Sequence, residues 1–142
     1  MSSAANPMTS SAPIAPQSLL AFDFGTRRIG VAKGTAMLGQ AVPLRHIALK
    51  GEARFAAIEA LIREWQPDAL VIGVPRHPDG AEHEMTLAAR RFGRQLNGRF
   101  HLPVFEVDER YTSVEAEAEG ASDVDSAAAA LILEQYIREH SQ

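Results

Sequence analysis

The run from Leu19 to Gly25, LLAFDFG, is apolar at almost every position, and its one charged residue is Asp23. Successive residues of a strand point to opposite faces, so Asp23 shares a face with Leu19 and Ala21 while the two phenylalanines take the other. A strand that is apolar on both faces has to be covered on both sides, which is typical of the inner strands of an α/β sheet. The run therefore predicts a central strand, and it places a carboxylate where ionisation is costly unless a partner or a metal ion compensates it.

The hydrophobic pattern of the whole chain alternates between strand and helix periods in the order βββαβαβα. The first three strands are joined by short glycine-containing turns, which favours an antiparallel meander, and the fully apolar fourth strand is typical of a parallel sheet. The predicted strands cover Leu19–Gly25, Arg28–Gly34, Gln40–Leu49, Ala69–Val74 and Pro103–Val107, and the predicted helices cover Glu52–Trp65, Glu82–Leu96, a short segment after Thr112, and Asp125 to about His140.

Length and composition exclude several classes of protein. The chain has 142 residues, of which 46% are hydrophobic and 23% charged, and this suits one globular domain rather than a disordered or fibrous chain. We expect that domain over residues 18–142, after a flexible leader rich in Ser, Ala and Pro over residues 1–17. The absence of cysteine excludes disulfides and thiolate zinc sites, and no apolar run approaches the roughly 18 residues of a membrane span. The expected location is the cytoplasm, with no membrane partner.

Two further carboxylates occupy positions where apolar residues are expected. In VFEVDER, Glu109 continues the apolar row of Phe105 and Val107 past the end of the predicted strand. The alternation of side chains between the two faces is unreliable at the end of a strand, so Asp108 stays an alternative. On a helical projection, Asp125 falls on the alanine-rich face of the last helix that should pack against the sheet. An aspartate this close to a helix start is also a common cap, so a capping role for Asp125 stays open.

These three acids are expected to converge. The carboxyl ends of parallel strands lie along one edge of an α/β sheet, and Asp23 and Glu109 both reach that edge. Asp125, at the start of the last helix, can reach it too. Like charges brought together stay ionised only with a cation among them, and an oxygen-only set of ligands favours Mg²⁺ or Mn²⁺. Such a site suits metal-dependent phosphodiester hydrolysis, with the three acids as both catalytic residues and metal ligands.

Residues beside the acids are candidates for holding a phosphate group of nucleic acid. The net charge of −4 argues against a protein that coats nucleic acid without specificity, but a phosphate backbone responds to the local potential. Thr26, Arg27 and Arg28 follow the first acid and Arg110 follows the second, so these four are candidate substrate-binding residues. Alternatively, the arginines pair with nearby carboxylates or face solvent.

Four motifs in a fixed order give the chain a resemblance to a known family: AFDFGTRRIGVA, VIGVPRHPDG, DERYTSVEA and VDSAAAALILEQY. Together they resemble the YqgF/RuvX family, whose members are described as Holliday junction resolvases and as pre-16S rRNA nucleases, and the resemblance extends from Leu19 to the end of the chain. It implies an α/β, ribonuclease H-like fold, in which three antiparallel and then two parallel strands form one mixed five-stranded sheet with helices on both faces. It also implies that Asp23, Glu109 and Asp125 are the catalytic acids.

The same resemblance implies a function and partners. The protein would be a hydrolase of ribosome biogenesis, a divalent-metal-dependent endonuclease that processes the 5′ end of pre-16S rRNA, with Holliday-junction-type branched DNA as a variant substrate. Nucleic acid would be its main partner and ribosome-assembly factors would be further partners. It would act as a monomer or as a homodimer.

The sequence departs from the family pattern near its end. Seven residues, EAEGASD, separate the VEA and VDS motifs, fewer than is usual, and Asp123 stands where the family carries a lysine. An aspartate there repels phosphate or adds a metal ligand. In ribonuclease H-like sheets the fourth strand usually lies beside the first, which would put Glu109 on the fifth strand at some distance from Asp23. Asp79 or Glu82, after the fourth strand, is therefore an alternative ligand.

Two other functional classes stay open. The sequence DFGT followed by three strands also resembles the phosphate-binding opening of actin-like and sugar-kinase ATPases, but those need two such domains around a nucleotide, and 142 residues supply one. The other class is a catalytically weak or inactive RNA- or ribosome-associated binding protein on the same fold. The short segment before Asp125 and the missing lysine favour this second class.

Overall fold

A computed structural model describes residues 17–75, 84–109 and 123–140 of the chain. These residues form five strands and three helices. The strands are β1 (Ser18–Phe24), β2 (Ile29–Thr35), β3 (Ala41–Ile47), β4 (Ala69–Pro75) and β5 (Val104–Glu109), and the helices are α1 (Gly51–Trp65), α2 (Glu84–Phe100) and α3 (Val124–His140).

The five strands form one mixed sheet in the order β3-β2-β1-β4-β5. The strands β1, β2 and β3 pair antiparallel with one another, whereas β4 pairs parallel with β1 on one side and with β5 on the other. This confirms the predicted ribonuclease H-like architecture of three antiparallel and two parallel strands. It also places β1, the strand that carries Asp23, in the centre of the sheet.

Both faces of the sheet are covered, as the apolar pattern of β1 requires. On one face, Leu20 and Phe22 pack in a core with residues of α1 and α2. On the other face, Leu19 and Ala21 pack against α3. All four side chains are buried, and each large apolar side chain removed from water in this way stabilises the fold by about 1.5–3 kcal/mol.

The helix α3 lies close to the sheet because small residues face it. A Cβ atom on Gly30 of β2 would lie 1.8 Å from the main-chain oxygen of Asp125, so only glycine fits beneath the first turn of this helix. Further along, Ala32 of β2 packs against Ala129 and Ala130 of α3. This close approach brings the first turn of α3 to the same edge of the sheet where β1 ends.

Most element ends lie within one residue of the prediction, but β3 ends at Ile47, two residues before the predicted Leu49, and two elements extend further than predicted. The helix α2 continues beyond Leu96 to Phe100 and ends where His101 takes a left-handed conformation with φ of 58°. The strand β5 continues beyond Val107 to Glu109, whose position pairs with Pro75 of β4, so Glu109 lies on the strand rather than past its end. The predicted short helix after Thr112 and residues 1–16 of the predicted leader, which was expected to end at Gln17, lie outside the described residues. Within the described ranges, none of the helices combines the length and hydrophobicity that crossing a lipid bilayer demands.

Candidate metal centre

Asp23 and Glu109 meet at the carboxyl edge of the sheet on the face covered by α3. Their side chains form a hydrogen bond with each other. Glu109 is only 9% exposed and Asp23 is half-buried, so water screens the two carboxyl groups poorly. The convergence of the first and second acids, predicted from strand parity, is therefore present in the structure.

The contact between Asp23 and Glu109 depends on a glycine in the strand between them. Phe22 of β1 pairs with Ile72 of β4, so Asp23 lies level with Gly73. A Cβ atom on Gly73 would lie 3.1 Å from Oε1 of Glu109 and 2.5 Å from Cδ1 of Ile132. The missing side chain leaves the space through which Glu109 reaches across β4. This explains how a residue on the fifth strand contacts one on the first.

The electrostatics of the pair follow from burial and proximity. Burial raises the pKa of Asp23 to about 6, the hydrogen bond from Glu109 opposes this rise, and the charge of Asp125 adds to it. Burial, the charge of Asp23 and their hydrogen bond together raise the pKa of Glu109 to about 8. Near neutral pH the two side chains therefore hold one proton between them.

Asp125 stands beside this pair in the first turn of α3. Its main chain lies over Gly30, and Gly30 is the residue of β2 that pairs with Asp23. One of its carboxylate oxygens, Oδ2, accepts a 2.9 Å ion-pair contact from Nε of Arg28, and its side chain is 29% exposed. The three acids thus share one edge of the sheet, and the third has an arginine partner.

The residue that caps the start of α3 is Asp123, not Asp125. The Oδ1 atom of Asp123 accepts a hydrogen bond of 3.1 Å from the main-chain N–H of Ser126, and Ser126 Oγ donates to the main-chain oxygen of Asp123. Asp123 is therefore the residue that caps α3. Because the cap is supplied one residue before the helix, the side chain of Asp125 is available for another role.

His46 is a residue of this region that sequence reasoning missed. It lies at the end of β3, and its Nδ1 atom is 3.2 Å from Oδ2 of Asp123. One ligand atom each from His46, Asp123 and Asp125 lie within 4.8 Å of one another. The signal available in the sequence was the position of His46 at the end of a strand that runs parallel to β1, since this brings it to the same edge as Asp23.

The predicted phosphate-binding residues have different surroundings. Thr26 and Arg27 are exposed in the turn between β1 and β2, whereas Arg28 pairs with Asp125. Asp108, the alternative to Glu109, is exposed, and alternation along β5 points it away from the face of Glu109. Arg110, Asp79 and Glu82 lie outside the described residues.

The donor set fits a hard divalent cation. Asp23, Glu109 and Asp125 carry carboxylate oxygens, the ligands that Mg²⁺ and Mn²⁺ prefer, and the imidazole of His46 offers a nitrogen close to the carboxylates of Asp123 and Asp125. Burial is the main cause of the raised pKa values of Asp23 and Glu109, and a cation bound there would favour the charged form of both groups. Among the described residues, the group of ligand atoms within 4.8 Å of one another is that of His46, Asp123 and Asp125, whereas Asp23 and Glu109 form a hydrogen-bonded pair beside it, so the three predicted acids do not form one such group.

The chain is similar in sequence to proteins of one family. A family model described as "RuvX: Holliday junction resolvase" matches residues 17–139, a range that includes all three acids. A protein named "Putative pre-16S rRNA nuclease" from Albidiferax ferrireducens is 61% identical over 122 residues, which cover 86% of this chain and 78% of the relative. A protein of the same name from Paraburkholderia phytofirmans is 57% identical over 126 residues, which cover 84% and 86%. Among solved structures, T. thermophilus RuvC in complex with a Holliday junction substrate has a TM-score of 0.49 and 16% identity, over 87% of this chain and 96% of that one.

Proposed function

The chain belongs to the RuvX family, and from this membership and the site geometry we propose that it is a metal-dependent nuclease that hydrolyses phosphodiester bonds. The observation that carries the proposal is the contact between Asp23 and Glu109, with Asp125 close enough to raise the pKa of Asp23. Buried carboxyl groups that repel one another destabilise a fold, so a role in binding a cation accounts for their convergence.

The proposed substrate is precursor ribosomal RNA. Relatives that are 55–61% identical carry the name "Putative pre-16S rRNA nuclease", and this identity over most of the chain supports a related substrate. In this proposal the protein processes the 5′ end of pre-16S rRNA, alongside ribosome-assembly factors, and branched DNA is a variant substrate. A monomer suffices for trimming one strand, whereas symmetric cutting of a four-way junction requires a homodimer.

In this mechanism, Asp23, Glu109 and Asp125 would hold Mg²⁺ or Mn²⁺. When bound, such an ion lowers the pKa of a water molecule and stabilises charge on the phosphate oxygens. Asp23 and Glu109 would hold the ion as carboxylates, so the proton of their hydrogen bond would pass to solvent. Arg28, whose side chain is 57% exposed beside Asp125, and the exposed Arg27 supply positive charge for the scissile phosphate.

The proposal is tested by cleavage of defined substrates. A pre-16S rRNA fragment with its 5′ leader and a four-way DNA junction are incubated with Mg²⁺ or Mn²⁺ and either the wild type or Asp23→Asn. We expect site-specific cleavage of the RNA by the wild type and a loss of at least about a hundredfold in the variant. The matched control is Asp108→Asn, which removes a carboxylate from the same edge but from the other face of β5, and it should cut like the wild type.

A second candidate function is binding without cleavage. It is favoured by Asp123, which occupies the position of the lysine expected in the family and contacts His46, and by the pairing of Arg28 with Asp125. Both features lower the positive charge available to a phosphate at the site. RNA binding by the wild type, combined with no metal-dependent cleavage of either substrate, would establish this alternative and reject the nuclease proposal.

A further inference from the structure

A groove of about 410 Å³ lies at the carboxyl edge of β1, on the face opposite to the three acids. Its floor is formed by Phe24, the residue that follows Asp23, and by Phe92 of α2. Arg54, in the first turn of α1, and Arg91, in the second turn of α2, line its sides. Because Asp23 and Phe24 are consecutive residues of β1, the candidate metal centre and the groove floor lie on opposite faces of the same end of this strand.

The aromatic floor offers a stacking surface. Phe24 is half-buried, and its ring centroid lies 4.9 Å from that of Phe92 with an angle of 31° between the ring planes. The guanidinium carbon of Arg54 lies 5.7 Å from the centre of the Phe24 ring, within the range of a cation–π interaction. An aromatic ring held by packing and flanked by arginine is the combination on which nucleotide bases stack.

The two arginines of the groove lack acidic partners among the described residues. Arg91 is exposed and makes no hydrogen bond or ion pair within that part of the chain, and Arg54 only donates a 3.5 Å hydrogen bond to the main-chain oxygen of Leu49. Other arginines on the same helices are paired: Arg63 with Glu59, Arg90 with Glu106 and Arg99 with Glu52. In a chain with a net charge of −4, the groove therefore keeps two positive charges that nothing in the described structure neutralises.

Both helices that line the groove begin at this edge. The helix α1 starts at Gly51, and its N-cap residue Lys50 makes no side-chain capping hydrogen bond. The helix α2 starts at Glu84, one turn before the groove-lining Leu87. The positive ends of the two helix dipoles add to the field of the arginines, and this field favours an anion.

We propose that this groove binds single-stranded RNA next to the scissile bond, with a base on Phe24 and phosphates on Arg54 and Arg91. The inference rests on the proposed nuclease function and adds the path of the substrate. The strand reaches Asp23 from the α3 face of the sheet and continues over the edge of β1 into the groove. A single strand fits this route because an unpaired base is free to turn onto an aromatic ring, whereas a base in a duplex is not.

The test is RNA binding measured by fluorescence anisotropy with a labelled single-stranded RNA of about 12 nucleotides. All proteins carry Asp23→Asn so that the probe stays intact, and the titrations are run with Mg²⁺ at several salt concentrations. Arg54→Ala and Arg91→Ala should each weaken binding about threefold or more at low salt and reduce the salt dependence by about one phosphate contact. Phe24→Leu, which keeps the core apolar, should weaken binding about fivefold or more and leave the salt dependence unchanged.

The matched control is Arg138→Ala, which removes one exposed arginine from the far end of α3 and should bind RNA like the parent. Equal binding by the parent and all three groove variants would overturn this inference while leaving the nuclease proposal intact. An equal loss in Arg138→Ala would also overturn it, because the effect would then be one of net charge. A parent protein that binds no RNA would overturn the inference together with the proposed function.

Discussion

The side chains of Asp23 and Glu109 share a hydrogen bond although a whole strand, β4, lies between the strands that carry them. The contact requires Gly73 in β4, and it places two carboxyl groups in a poorly hydrated space. Such a pair destabilises the fold when both groups are ionised, and a fold shaped for stability alone would carry apolar residues there. The predictions below follow from this balance between stability and cation binding.

The first prediction concerns the stability of the metal-free protein as a function of pH. The pKa values of Asp23 and Glu109 rise on folding from 3.8 to about 6 and from 4.5 to about 8. At pH values between the unfolded and folded pKa values, the folded chain binds more protons than the unfolded chain. The free energy of unfolding therefore falls as pH rises from about 4 to 8. A difference of one in pKa corresponds to about 1.4 kcal/mol, so shifts of this size lower the free energy of unfolding by several kcal/mol.

This pH dependence is measured by urea unfolding in EDTA at pH 5 and pH 8. In the double variant Asp23→Asn, Glu109→Gln, the free energy of unfolding should change little between pH 5 and pH 8. This variant should also be more stable than the wild type at pH 8. Glu106→Gln, at an exposed position of the same strand, serves as the control, and its free energy of unfolding should fall between pH 5 and pH 8 as much as that of the wild type. An unfolding free energy of the wild type that is constant or rises from pH 5 to 8, with the double variant unchanged, would contradict the raised pKa values.

The second prediction links metal binding to proton release. At pH 7 the pair holds about one proton, which a bound cation displaces, so the affinity for Mn²⁺ should rise between pH 6 and 8. Isothermal titration calorimetry in two buffers of different ionisation enthalpy should report release of close to one proton at pH 7. In Asp23→Asn we expect much weaker binding. Binding of Mn²⁺ that is independent of pH and releases no proton would mean that the ion sits elsewhere.

The third prediction concerns Gly73. In Gly73→Ala the new Cβ atom meets Glu109 and Ile132, so Glu109 should be pushed away from Asp23 and the packing of α3 should loosen. We expect a loss of about 1–3 kcal/mol in unfolding free energy, as for overpacked cores. Cleavage activity and Mn²⁺ affinity should also fall, because Glu109 no longer reaches Asp23. Gly98→Ala in α2 is the matched control, because a Cβ atom there meets nothing within 4 Å and a helical glycine is replaced by a better helix former. If Gly73→Ala binds Mn²⁺ as the wild type does, the space above Gly73 is not needed for the site.

The fourth prediction separates two effects of Arg28. Its guanidinium pairs with Asp125, so Arg28→Gln should free this carboxylate and tighten Mn²⁺ binding, while the Michaelis constant for RNA rises. The change in stability should stay below about 1 kcal/mol, because the pair is partly exposed. Arg27→Gln removes a neighbouring exposed charge that has no contact with Asp125 in the described structure, and its Mn²⁺ affinity should match the wild type. Weaker Mn²⁺ binding by Arg28→Gln would show that the arginine positions Asp125 for the metal rather than competing with it.

The faces of individual elements were predictable from the sequence because they follow from local periodicity. Alternation along β1 and β5 placed Asp23 and Glu109 on the face of α3, and the helical projection placed Asp125 on the side that packs against the sheet. The strand order and the helices on both faces also agree with the prediction. Each of these features depends on residues close together in the chain or on the family resemblance.

The contacts between distant segments were not predictable in this way. The role of Gly73 depends on the register of three strands, and the position of Gly30 beneath Asp125 depends on how closely α3 docks. His46 approaches Asp123 across 77 positions of the chain, a contact that no local spacing encodes. The cap of α3 shows the same limit, because Asp123 and Asp125 have similar local patterns and only the helix start distinguishes them.

The measurement that tests the central claim most directly is the anomalous difference density of crystals grown with Mn²⁺. Our account predicts an ion within about 2.5 Å of oxygens of Asp23 and of at least one of Glu109 and Asp125, with the hydrogen bond between Asp23 and Glu109 broken. Crystals prepared at a Mn²⁺ concentration that supports cleavage, in which this hydrogen bond persists and the ion lies away from all three acids, would contradict it.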